Sequence, residues 1–266
     1  MTAFWGLTIK ELKCLWGSFS AWVVLFAFNL VVSILFWLRL LQYEKVVQNY
    51  EHYQDQVLLS RLNFDDVIIK YLFMNMAMVF LFVIPVMTMR AFAEEKRLKT
   101  YEWLRAQPIQ SLVLLMAKFT GIYSFVVMLC LMGLVYPLVL EAVGSTSLIQ
   151  ESVIDWAATV VGFLGVGLLG GLFVAIGIFF SACNENQLLS ALMAFLFLLV
   201  IWFLKSAGSE VGGLAGPVLA YLSPLGHLDS FSRGTLRLED LTYFTSTIFF
   251  FLWLSHKRLE SDGWGG

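Results

Sequence analysis

Six uncharged apolar runs, separated by polar segments, set the pattern of this chain. Phe19–Leu38 has twenty residues without a formal charge, enough to cross about 30 Å of hydrocarbon at about 1.5 Å per residue. Tyr71–Met89 has Asn75 as its one strongly polar residue and Pro85 near its exit, where a kink costs least. Phe119–Leu140 follows Lys118 and carries Pro137 near its end, Trp156–Cys183 is the longest run, and Leu188–Leu204 comes after a tight polar turn. Leu241–Ser255 is short by itself but extendable into its flanks. The pattern predicts an all-α integral membrane protein with six transmembrane helices in one domain over 19–256, and a short tail at 257–266.

The polar segments carry patterns of their own. In Met1–Ser18, residues Trp5, Ile9, Leu12 and Trp16 make one apolar stripe beside Lys10 and Lys13, which predicts an interfacial helix at 1–18. The run after it is too long for a signal-peptide core, so the first span is expected to stay as an anchor. Arg39–Lys70 is polar and predicts a long, partly helical loop. Val211–Leu222 is apolar for only twelve residues and is broken by Gly212, Gly213, Gly216 and Pro217. Such a segment predicts a re-entrant or external helix before the last span. Gly167, Gly171 and Ala175 recur every four residues, the small-residue row that lets helix backbones approach.

Between the second and third runs lies a charged island, AFAEEKRLKTYEWLRAQP from Ala91 to Pro108. Leu98, Tyr101, Leu104 and Pro108 fall on one helical face, with Glu95, Lys99 and Glu102 on another and Glu95 placed to pair with Lys99. This predicts a short amphipathic helix outside the bilayer over Ala93–Pro108. Read by composition alone, such an island is a solvated loop that sets topology.

Composition agrees with a membrane protein: 59% of residues are hydrophobic and 14% charged, against about 25% charged in soluble domains. The formal net charge of −2 and the lack of a basic stripe elsewhere exclude a nucleic-acid partner. Cys14, Cys130 and Cys183 are scattered and predict neither disulfides nor zinc. Met74, Met76 and Met78 alternate in direction, so they read as packing residues and no metal site is expected. His227 is expected to make a structural hydrogen bond.

The island, the Lys10/Lys13 segment, the 184–187 turn and the tail hold ten bases and seven acids, whereas the remaining loops hold seven bases and twelve acids. The positive-inside rule therefore places the first group, with both termini, in the cytoplasm. No phosphate-binding loop or hydrolase motif is present, so the chain is expected not to be an enzyme. Arg39, Lys70, Arg90, Lys118, Glu141 and Lys205 all fall at expected span ends, leaving no ionisable residue for an ion-driven carrier.

Three stretches resemble permeases of ABC-type-2 transporters, nearest the gliding-motility type. The island, from its Arg90-Ala91 entry to Lys118, is similar to the cytoplasmic loop that carries the family's coupling helix. FSACNENQLLSAL, from Phe180, resembles a Ser-x-x-x-Glu-Asn-Gln segment between the fourth and fifth spans. YLSPLGHLDSFSRGTLRLEDLTYF, from Tyr221, is similar to the stretch before the last span. The resemblance implies a permease subunit of an ATP-driven exporter in the bacterial inner membrane. Its implied partners are a cytoplasmic ABC ATPase that holds the ATP and Mg, a second permease copy or paralogue, an auxiliary extracytoplasmic subunit, and membrane lipid. It also implies ATPase-coupling roles for Glu94, Glu95, Lys96, Arg97, Leu98, Lys99, Tyr101 and Leu104. The alternative is a non-exporting transducer that passes ATP-driven motion to an extracytoplasmic or membrane partner.

Overall fold

The computed structural model describes residues 2–52, 68–100, 110–144, 154–211, 213 and 215–261. Among them the chain is mostly helical, with no strand. An apolar backbone in lipid satisfies its polar groups only within helices or closed barrels, and this sequence takes the first solution.

Helix α1 (Thr2–Trp16) ends at Gly17, whose N–H bonds to the Lys13 carbonyl at 2.9 Å, and the chain turns into α2 (Phe19–His52). With 34 residues, α2 rises about 51 Å, so the first part of the expected polar loop continues the helix. Helix α3 (Lys70–Thr88) keeps Pro85 inside its last turn. A five-residue helix, α4 (Ala93–Arg97), follows.

Helices α5 (Ser111–Gly133) and α6 (Val135–Gly144) hold the third apolar run. The helix starts well before the expected Phe119 and breaks at Leu134, where Pro137 has no N–H for the carbonyl one turn back. Helix α7 (Trp156–Cys183) occupies the longest apolar run, with the Asp155 carboxylate accepting from the N–H groups of Ala157 and Ala158 at its start. Asn186 caps α8 (Gln187–Glu210) in the same way through Leu188 and Leu189.

The remaining helices are α9 (Ala215–Leu222), α10 (Pro224–Ser232) and α11 (Leu238–Ser261). Helix α9 folds back along α8, where a Cβ on Gly208 would lie 2.7 Å from the Gly216 carbonyl oxygen. Its eight residues rise only about 12 Å, too little to cross a bilayer.

Among the described residues, five helices, beginning at Phe19, Lys70, Ser111, Trp156 and Gln187, are long and apolar enough to cross a membrane. Helix α11, which contains the sixth apolar run, is not among them: Glu239, Asp240, Lys257 and Arg258 close in its uncharged stretch and hydroxyl residues dilute it further. Thr242, Thr245, Ser246, Thr247 and Ser255 each return the hydroxyl proton to a carbonyl of their own helix.

Helix α7 is the centre of the core, in contact with α3, α5, α8, α10 and α11. Glycines admit three of these neighbours. A Cβ on Gly162 would stand 2.1 Å from Phe73 of α3, one on Gly170 2.4 Å from Val126 of α5, and one on Gly165 2.4 Å from Phe231 of α10. The expected row sits beside these contacts: a Cβ on Gly167 would meet just the Tyr123 hydroxyl, at 3.9 Å, one on Gly171 would stand 3.1 Å from the Tyr123 ring, and Ala175 is buried.

Candidate functional site

The turn after α3 is fastened to the end of α7 by one hydroxyl. Ser181 Oγ accepts from the N–H groups of Phe92 and Ala93, at 3.0 and 3.2 Å, and donates to the Met89 carbonyl at 3.1 Å. The first N–H groups of a helix have no acceptor within it, and Phe92 offers no side-chain cap of its own, so the Ser181 hydroxyl serves these two at the start of α4. At the other end of α4, the Lys96 ammonium donates to the Ala182 carbonyl, one of the last acceptors of α7 and a favourable place for a cation. Two of the stretches quoted from the sequence therefore meet in space.

A second attachment runs to α5. The Lys118 ammonium bonds Glu95 Oε1 at 2.7 Å and lies 3.4 Å from Glu11 Oε1 of α1. Lys118 is 4% exposed and stands two turns inside α5, so the lysine expected at a span end is also buried in the protein. A buried ammonium persists only when paired, and Glu95 and Glu11 supply the partners. One Glu95 oxygen, Oε2, is buried with no partner.

These contacts also correct the expected coupling helix. Lys99 has φ 58°, in the left-handed region that ends a helix, so the segment from Ala93 does not run unbroken to Pro108. The expected Glu95–Lys99 pair is replaced by Glu95–Lys118, and Lys96 reaches inward as well. Glu94 is half-buried, whereas Arg97, Leu98 and Lys99 are exposed, with Leu98 58% open. Tyr101 and Leu104 lie outside the described residues.

Sequence reasoning missed Ser181, Glu11 and Lys118. Ser181 lay in a quoted stretch without a role. Lys118 carried a readable signal, since uncharged residues flank it for two turns on either side and a lone lysine in such a helix needs a buried partner.

At the opposite end of the molecule, α10 is tied to the start of α3 and to α11. Lys70 Nζ bonds the Asp229 carboxylate at 2.7 Å, and Arg233 joins it at 3.1 Å. Partial burial pushes the Asp229 carboxyl up, but the Lys70 hydrogen bond and the charges of Lys205, Lys70 and Arg233 outweigh it and hold the group below the usual carboxylate value. His227 stacks on Tyr243 with ring centroids 3.9 Å apart, and its two ring nitrogens face Asp240 and the Tyr221 carbonyl oxygen. Among the described residues no group of three or more His, Cys, Asp or Glu could hold a metal ion.

Against known families, residues 5–253 match the model described as "ABC-2 family transporter protein". No curated protein and no solved structure matches the chain.

Proposed function

Because the chain belongs to the ABC-2 transporter family, whose members are multi-pass membrane subunits working with a separate cytoplasmic ABC ATPase, we propose that it is the permease of an exporter and receives work through the loop beginning at Ala93. The ATPase holds the ATP and Mg. The observation that carries this reading is the double attachment of α4. Ser181 and Lys96 bind it to α7, and Glu95 binds it through Lys118 to α5. A force on the exposed Arg97, Leu98 and Lys99 is thereby delivered to the central helix of the core.

In this reading α4, both termini and the α7–α8 turn face the cytoplasm of a bacterial inner membrane, in line with the base excess of those segments. Helix α11 is the sixth span, carried by its own hydroxyl hydrogen bonds, and α9 and α10 lie at the outer face. Two permease copies, or this chain and a paralogue, sit side by side with one ATPase each. Lys96 and Glu95 hold the loop in place from within, so contact with the ATPase falls to Arg97, Leu98, Lys99 and, beyond them, Tyr101 and Leu104. Apolar and aromatic anchors dominate such interfaces over rim charges. A transducer linked to an auxiliary extracytoplasmic subunit of the gliding-motility type is the second reading, and the exposed side of α10 around Asp229 and Arg233 is the surface it would use.

The test is co-purification of the cognate cytoplasmic ABC ATPase at matched membrane expression. Leu98→Asp, Tyr101→Ala and Leu104→Ala are expected to lower its recovery, with Lys99→Ala milder. Wild-type recovery with all four variants would refute the docking assignment.

A further inference from the structure

A cavity of about 380 Å³ lies where α1 bends into α2 and abuts the end of α3 and the start of α4. Its volume is within the range of about 300–1,000 Å³ typical of small-molecule sites. One part of its wall is apolar, from Leu15, Val24, Met87 and Ile122. The other part carries three bases and three acids. Lys118 is spoken for by Glu95 and Glu11. Lys10, Arg90 and Glu94 form no ion pair among the described residues, Lys10 acting on Glu95 only at longer range, so two cations and one carboxylate line the same space without a direct partner. Trp16 and Trp22 stack edge to face at the bend, the kind of aromatic placement found at the headgroup level of a bilayer.

We propose that this cavity binds the headgroup of an aminophospholipid, a lipid with both a phosphodiester and a primary ammonium. Arg90 and Lys10 take the phosphate, because a guanidinium offers paired donors to phosphate oxygens and a lysine adds a second positive charge. Glu94 takes the ammonium. The apolar wall receives the glycerol and the first methylenes of the acyl chains. The charge pattern selects a dipolar head: an anionic lipid would satisfy the two cations and leave Glu94 facing a negative ligand, and a quaternary ammonium cannot donate a hydrogen bond to that carboxylate. Since Glu94 belongs to α4, occupancy also braces the loop that the Ser181 contacts hold. Recognition of the lipid is a property of this chain alone and does not depend on ATPase docking.

The experiment uses the full-length chain, delipidated in detergent without any ATPase, and measures 1:1 lipid binding by native mass spectrometry. The probes are phosphatidylethanolamine, phosphatidylcholine and phosphatidylglycerol of identical acyl chains. Phosphatidylethanolamine is expected to bind at least about tenfold more tightly than the other two, a difference of about 1.4 kcal/mol. Arg90→Ala should weaken all three, and Glu94→Gln should erase the preference for phosphatidylethanolamine over phosphatidylglycerol. Equal binding of the three lipids to the wild-type chain, or an undiminished preference in Glu94→Gln with an unchanged gel-filtration profile, would overturn the proposal. Loss of ATPase recovery in the coupling variants, with lipid selectivity intact, would leave it standing.

Discussion

Helices α7 and α8 are both long, uncharged through their apolar parts and equally hydropathic, yet 72% of the most apolar window of α7 is buried and only 17% of that of α8. Small residues make the difference. Gly162, Gly165, Gly170 and Gly177 let α3, α5 and α10 approach α7 so closely that a Cβ at any of the four would overlap a neighbour. Helix α8 instead turns Leu192, Leu196, Val200 and Phe203 outward. Apolarity places a helix in the membrane, because lipid is as apolar as leucine and supplies no drive to bury one helix rather than another. Close-packing residues then decide which helix is central, and the loop that ends in α4 is attached to the central one.

The largest test of this contrast is overpacking. Gly162→Leu is expected to abolish the folded chain, or to cost well above the roughly 1–3 kcal/mol typical of overpacked cores, because the Phe73 ring fills the space. Leu196→Ala on α8 should leave yield and melting temperature within experimental error. Detergent-solubilised yield and thermal unfolding measure both, and equal losses would erase the distinction between the helices.

Next in size is Lys118→Met, which leaves Glu95 and Glu11 facing one another without a cation at a site where removal of a buried partner costs about 3–5 kcal/mol. The same substitution combined with Glu95→Gln and Glu11→Gln should recover most of the loss. Thermal unfolding of the single and triple variants compares them, and a triple variant no better than Lys118→Met would show that the charges are not what fastens α4 to α5.

A smaller effect is expected for Ser181→Ala, which removes the acceptor of two N–H groups and the donor to Met89 at a cost of about 1–3 kcal/mol. The cost should be local: hydrogen exchange of the Phe92 and Ala93 amides should quicken while the middle of α7 stays protected.

The smallest concerns Asp229. Its carboxyl is held below the ordinary value of 3.8, so its contribution to stability is complete above that value and is lost as pH falls through the lower folded value. At pH 7, Lys70→Met should cost less than about 1 kcal/mol, since the pair is partly exposed. At pH 3 and below the cost should shrink further. Thermal unfolding of wild type and variant at the two pH values reads the difference.

Much of this architecture was legible in the chain. The uncharged run from Trp156 to Cys183 is a single helix because Asp155 caps one end and the Asn184–Asn186 turn closes the other. The brevity of α9 followed from Gly216 and Pro217 within it and from Gly212 and Gly213 just before it. Other features were hidden for physical reasons. A four-residue spacing of Gly167, Gly171 and Ala175 marks one face of α7, but which glycines are pressed depends on where bulky partners fall on other helices, and Phe73 and Phe231 come from distant parts of the chain. In the candidate site, helical periodicity made Glu95 and Lys99 neighbours, whereas the left-handed Lys99 separates them and a lysine on α5 takes the carboxylate. A hydroxyl that joins Phe92 to Ser181 across the core leaves no periodic trace in sequence.

The central claim is that α4 and the end of α7 move as one body when the ATPase acts. Spin labels at Arg97→Cys and at the native Cys183, with Cys14 and Cys130 replaced by serine, report their separation through dipolar coupling in the membrane-embedded permease–ATPase complex. The account predicts the same coupling in the nucleotide-free and vanadate-trapped states, alongside a change in the distance between the Cys183 labels of the two permease copies. A 97–183 coupling that changes with nucleotide while the inter-copy distance stays fixed would contradict it.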